Sequence, residues 1–126
     1  MSVSIVLTTV GTEDEANTMA EDLVQRRHTC CVNILTKVRS VYRWKGKICR
    51  DDEYMLLIKS LDGEVEALES AIRELHSYEL PEILRFNIDH VDERFMQWIT
   101  GCLDKAATFS DEKDDGLAVD PEDSNF

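Results

Sequence analysis

Apolar and polar positions alternate with different periods along this chain, and the changes of period mark its elements. Residues 3–10 form an apolar run rich in β-branched side chains that stops at Gly11, which predicts a strand. Thr12, followed three residues later by Glu15, has the form of a capping box, and Ala16, Met19, Ala20, Leu23 and Val24 then recur at helical spacing. A helix ending near His28 is expected, with Arg26, Arg27 and His28 suited to its negative end.

From Cys30 the pattern changes to CCVNILTKVRSVYRW, breaks at Lys45-Gly46-Lys47, and resumes extended character in ICRDDEYMLLIKS. This predicts one hairpin with arms well beyond the usual strand of about six residues, so its far part projects from the domain and needs a partner along its edge. Asp62 is a candidate N-cap for a second helix with Val65, Leu68, Ile72 and Leu75 as its apolar seam and Glu64, Glu66, Glu69 and Glu74 outside it. That helix should end near His76. Beyond Pro81, residues 83–88 alternate Leu84, Phe86 and Ile88 against Arg85 and Asn87, and Asp92 can cap a last helix carrying Phe95, Ile99, Cys102 and Leu103.

The order β-α-β-β-α-β-α places the chain in the α+β class, as a ferredoxin-like split β-α-β with a long β-hairpin and an additional C-terminal helix. Right-handed crossovers put the first two helices on one face of an antiparallel sheet. Strand positions of both parities are nevertheless apolar: Val6 beside Ile5 and Leu7, and Leu56 and Ile58 beside Met55 and Leu57. Both faces are therefore expected to be covered, and self-association is the economical way to cover the second.

Length and charge narrow the picture. The 126 residues suffice for one core, assigned to residues 1–107, while residues 108–126 read as an acidic, flexible tail. Asp and Glu total 26 against 14 Lys and Arg, a formal charge of −12, which disfavours nucleic acid and anionic membrane surfaces as partners. No apolar stretch is long enough to cross a bilayer and no charged leader precedes one, so a cytoplasmic location is the default. Two of the four cysteines are neighbours, Cys30 and Cys31, and no CxxC or zinc spacing occurs, which favours reduced thiols. No Gly-rich phosphate loop, G-x-S-x-G or H-E-x-x-H sequence is present, so nothing in the sequence supports catalysis, and no cofactor is required.

Several segments together resemble one family. Cys30-Cys31-Val32-Asn33-Ile34 is similar to a small-Cys-Val-Asn-Ile strand, and Ser40, Tyr42, Trp44, Gly46 and Lys47 to an S-x-Y-x-W-x-G-K hairpin tip. Leu56-Leu57-Ile58-Lys59 resembles an L-L-I-K strand, residues 76–83 an H-P-Y-E-x-P-E-I segment, and residues 95–99 a closing aromatic-x-x-W helix. In order and spacing these match the CutA (divalent-cation tolerance) family over residues 3–103. The resemblance implies a homotrimer whose hairpins reach across to neighbouring subunits. It also implies an association with metal tolerance and a binding or regulatory role through intersubunit clefts, rather than an enzyme.

Copper binding in this family is implied at a cysteine near the end of the first strand and at a His-His pair, positions that correspond here to Thr8, Leu75 and His76. One of the three ligands survives, and a lone imidazole holds a divalent ion weakly. The metal candidates are accordingly His76 and Cys31, for copper or another divalent cation bound weakly. Adjacent strand residues point to opposite faces, so Cys30 and Cys31 cannot readily chelate one ion. Cys49, near the hairpin turn, is a candidate for adventitious metal binding or oxidation.

Asn33 and Lys59 interrupt apolar strands, and with Tyr78 and Glu82 of the loop around Pro81 they are candidates to line an intersubunit cleft for a small anionic ligand. Glu82 is the expected ion-pair partner of Lys59. Tyr42, Trp44 and Trp98 are expected at the trimer interface, where aromatic rings with a polar handle are favoured. The alternative is a small-molecule-sensing signalling trimer resembling PII nitrogen-regulatory proteins, without physiological metal binding. An acylphosphatase-type enzyme would need a phosphate cradle after the first strand, where Thr12-Glu13-Asp14 is acidic, and a four-stranded RNA-binding module would need aromatics on a first strand that has none.

Overall fold

A computed structural model describes residues 2–104; the tail assigned to residues 108–126 lies outside them. The elements run β1 (Val3–Val10), α1 (Glu13–Gln25), β2 (Cys31–Trp44), β3 (Lys47–Leu61), a short 3-10 turn (Asp62–Glu64), α2 (Val65–Leu75), β4 (Leu84–Asn87) and α3 (Glu93–Cys102). The four strands form one antiparallel sheet in the order β2-β3-β1-β4, with three helices in a mixed α+β arrangement.

Helix α1 begins where the capping pattern places it, since Thr12 is extended and its Oγ1 accepts from the Glu15 N–H at 3.1 Å. The Glu15 carboxylate does not turn back on the cap. It crosses to the far end of α2 and accepts from the Ser77 N–H and Oγ at 3.0 and 2.9 Å. The helix stops at Gln25, short of His28: Arg26 is the C-cap, and Arg27 takes a positive φ of 60°. Asp62 does not cap α2, because its Oδ1 accepts from Ser4 Oγ at 2.8 Å and thereby ties the end of β3 to β1. Asp92 does cap α3, accepting from the Arg94 and Phe95 N–H groups.

Alternation along the strands gives the sheet two different faces. Val6, Val10, Leu56 and Ile58 are buried with Met19, Leu23, Val65, Leu68 and Ile72 of α1 and α2, which form the main core. The opposite parity carries Ile5, Leu7, Met55 and Leu57, with Leu84 and Phe86 beside them, and receives a helix only at one end. There Ile99 and Leu103 of α3 pack on Val3, with Leu61, Ile88 and Phe95 around them. Elsewhere this face is open.

The cysteines depart from expectation. Cys30, which precedes β2, is bonded to Cys102 at the end of α3, joining residues 72 apart in sequence, so this pair is not reduced. The bond fastens α3 to the sheet. Cys31 and Cys49 are free.

The long hairpin is present as predicted. Residues 38–44 of β2 and 47–53 of β3 pair only with each other, beyond the last pair of β1 and β3, Val10 with Tyr54. Lys45 and Gly46, with φ of 50° and 78°, make the tight turn of this ribbon, and such left-handed residues match the twist of the arms. A register shift between Leu35 and Val38, where Lys37 has φ 54°, separates the ribbon from the sheet. Among the described residues no helix is long and apolar enough to cross a membrane.

Candidate functional site

An open cavity of about 830 Å³ lies at the root of the ribbon, between its arms, the end of β1 and the loop of residues 78–82. Thr9 and Met55, from the open face of the sheet, contribute to its wall, so cavity and open face are continuous. Of the expected cleft residues it contains Tyr78 and Glu82, together with Tyr42 and Trp44 from the expected interface set.

Local chain geometry fixes each ring. Gly11 leaves room for Tyr78, since a Cβ there would stand 3.2 Å from its hydroxyl oxygen. The Tyr78 hydroxyl donates to Glu53 Oε2 at 2.8 Å, and Glu53 is only 7% exposed. Burial, reinforced by that carboxylate, raises the Tyr78 pKa and keeps the phenol protonated. Tyr42 donates to Asp51 Oδ2 on the facing arm, and this hydrogen bond pushes its pKa up to about 12. Two neutral phenols are thus each held by a carboxylate along the cavity. Trp44 is half exposed near the tip, with Lys45 Nζ 6.0 Å from its ring centroid.

His76 is placed beside this cavity but serves the backbone. The Tyr78 N–H can only donate and reaches Nδ1 at 3.0 Å, while the Thr9 carbonyl can only accept and lies 2.8 Å from Nε2. Nε2 therefore carries the proton, and both ring nitrogens are engaged. A metal would have to displace one of these bonds. Cys31 lies at the other end of the sheet, where it pairs with Lys59 and that residue with Ile5, and Lys59 Nζ approaches its sulfur at 3.5 Å. The two metal candidates are not brought together, and no group of three His, Cys, Asp or Glu side chains among the described residues could hold an ion. Thr8, at the strand position where copper ligation is implied in the family, is fully buried on the helix-covered face with its hydroxyl unpartnered.

The remaining candidates separate as well. Lys59 does not pair with Glu82: it points to Cys31 on the open face, whereas Glu82 lies on the exposed loop of the cavity. Asn33 sits opposite Leu57 on the open face and is not a cavity residue. Trp98, on α3, stacks near Phe95 with centroids 5.6 Å apart and is 39% exposed. Asp51 and Glu53 were not anticipated as site residues. Counting back from the turn pairs Ser40 with Asp51 and Val38 with Glu53, and that register was the available signal.

Comparison with known proteins gives a consistent result. Residues 4–102 match the family described as CutA1 divalent ion tolerance protein. The chain is 36% identical over 95 residues to a Thermus thermophilus protein named divalent-cation tolerance protein CutA, covering 75% of this chain and 92% of that one. It is 34% identical over 98 residues to human protein CutA, covering 78% of this chain and 55% of that one, so it spans about half of the human protein. The crystal structure of CutA from Xylella fastidiosa superposes with a TM-score of 0.80 at 32% identity, covering 82% of this chain and 100% of that one. The likeness covers both halves of the sheet, the hairpin between them and the closing helix, and on that ground the chain belongs to the CutA1 divalent ion tolerance family.

Proposed function

We propose that the chain works as a homotrimeric scaffold associated with divalent-cation tolerance, acting through clefts at its subunit boundaries and without catalysis. The observation that carries this reading is the open sheet face, where Leu84 and Phe86 are each 47% exposed next to Ile5, Leu7 and Leu57. A contiguous apolar face of this kind marks an interaction surface. The ribbon adds Tyr42 and Trp44, both exposed and of the same strand parity as Met55 on the open face, and the cavity at its root opens onto the same side. Covering the face with copies of the same chain would turn that cavity into an intersubunit cleft.

The family's copper set does not fit this chain. His76 is occupied twice, Thr8 and Leu75 replace two ligands, and Cys31 is remote, so no copper chemistry is assigned to these residues. Nucleic acid and membrane are not partners in this reading. A cytosolic compartment also belongs to it, and the Cys30–Cys102 bond provides a check, because cytosolic thiol pools reduce most disulfides.

Native mass spectrometry with and without Cu(II) tests the proposal. A trimer whose weak metal uptake is unchanged in His76→Ala is expected. A monomer would sink the scaffold, and one tightly bound copper per chain, lost in His76→Ala, would restore a metal site.

A further inference from the structure

The ribbon runs against the charge of the chain. In a protein with a formal charge of −12, residues 37–50 hold Lys37, Arg39, Arg43, Lys45, Lys47 and Arg50 and not one Asp or Glu. Six of the chain's 14 Lys and Arg are thus gathered at its projecting end, a formal +6.

Register sorts these side chains onto faces. Tyr42 and Trp44 share one face with Asp51 and Glu53, whose carboxylates are engaged there by Tyr42 and Tyr78. The other face sets Val41 opposite Arg50, Arg43 opposite Ile48, and Arg39 opposite Asp52. Val41 and Ile48 are 61% and 60% exposed. Arg39 has Asp52 at 3.7 Å, whereas the Arg43 and Arg50 side chains have neither a hydrogen-bond nor an ion-pair partner among the described residues. Cations alone would be a solvated surface. Here two large apolar side chains lie bare among them, a combination that suits an apolar segment flanked by acids.

The chain itself contains such a segment. Residues 111–123 hold seven acids and one lysine, a formal −6, and Leu117, Ala118 and Val119 stand in their midst. Asp111, Glu112, Asp114 and Asp115 precede that apolar centre, and Asp120, Glu122 and Asp123 follow it. Reach is sufficient. Helix α3 ends beside Val3, and from there along β1 and on along β3 to Ile48 is about 40 Å at the rise of a strand. The stretch from Leu103 to Ala118 spans up to about 50 Å when extended, which leaves a margin for rounding the sheet from its open face.

We propose that residues 111–123 dock on this face of the ribbon of the same chain. Leu117 and Val119 rest on Val41 and Ile48, and the flanking carboxylates pair with Arg39, Arg43 and Arg50, whose guanidinium forks suit carboxylates. Each exposed pair contributes little, but tethering raises the effective concentration of the segment, so a set of weak contacts suffices. Docking brings the ribbon end close to neutral and covers the one strongly cationic surface against foreign polyanions.

A nitroxide on Cys49 of the full chain tests this, with Cys31→Ser leaving Cys49 as the free thiol. In low salt the amide NMR signals of residues 117–119 should fall below about half of their intensity in the reduced, diamagnetic sample. The loss should vanish in 1 M salt or in Arg43→Glu with Arg50→Glu, and shrink in Leu117→Ser with Val119→Ser. Unperturbed ribbon amide shifts in the same spectra show that the charge-reversed chain keeps its fold, and Asp111→Asn with Asp120→Asn weakens the contact from the other side without touching the ribbon. Undiminished signals in low salt, or a loss indifferent to salt and to all three double variants, overturn the inference. So does a loss carried over in full to nitrogen-15 chains without nitroxide refolded together with labelled ones, since the face would then belong to a second copy.

Discussion

The two faces of the sheet are similarly apolar and differ in what the chain itself provides to cover them. On one, Val6, Leu56 and Ile58 are fully buried beneath α1 and α2. On the other, Leu84 and Phe86 stay half exposed, and only the end near Val3 receives a helix. Strand apolarity thus states that a surface is to be covered, while the connections decide whether the cover comes from within. A β-α-β crossover brings its helix to one face of the sheet, and this chain uses both crossovers on the same side.

The sharpest way to break the comparison is a matched pair of truncations on neighbouring residues of β3. Leu56→Ala, in the closed core, should lower the unfolding free energy by about 2–5 kcal/mol in urea titrations. Leu57→Ala, on the open face, should cost less than about 1 kcal/mol at concentrations low enough to keep single chains. Equal losses would mean that the two faces are not distinct. Next in size, Cys102→Ser should cost about 2–4 kcal/mol by releasing α3 from Cys30. The same loss should follow from adding reductant to the unaltered chain, and indifference to reductant would remove the tether from the account.

Smaller still in folding energy, Leu84→Ser and Phe86→Ser should each stay within about 1 kcal/mol of the parent chain. In light scattering, however, they should reduce an assembly to single chains. Unchanged mass would place the contact surface elsewhere. The smallest effect is alkaline. Both Tyr42 and Tyr78 have folded pKa values raised above the ordinary 10.0, so each contributes stability that is complete below that pH and lost as pH climbs through its folded value. For Tyr42 the window runs from 10.0 to about 12. Melting temperatures of the parent and of Tyr42→Phe should converge across it, and parallel curves would show that the Asp51 bond does not set the shift.

Much of the architecture was legible because it is local. A β-branched run, a capping threonine, a two-residue turn and a helical seam each act within a few residues, so β1, the start of α1, the hairpin and the cap of α3 follow from the pattern. Misreadings gather where a side chain reaches across the fold. Asp62 looks like a cap until Ser4 is brought against it, and Lys59 and Glu82 suggest a pair until the sheet separates them. Cys30 and Cys102 show no recognisable spacing, because only the folding of α3 back onto β3 and β1 brings them together. The cavity was half visible: Tyr42, Trp44, Tyr78 and Glu82 stand out as aromatic or loop residues, but Asp51 and Glu53 read as ordinary strand acids until register is counted from the turn.

His76 carries a consequence for the margin of the sheet. Strand β4 is four residues long and its ladder with β1 ends at Leu7, so the Thr9 carbonyl lies past the reach of any strand on that side. The imidazole occupies that place and donates where a backbone N–H would otherwise have to come from another molecule. A bare strand margin is an invitation to amyloid-like addition, usually refused with charge or brevity. In this fold a single ring acts as a stopper, so the residue with the most metal-like appearance in the sequence completes the hydrogen bonding of the β1 margin beyond the end of β4.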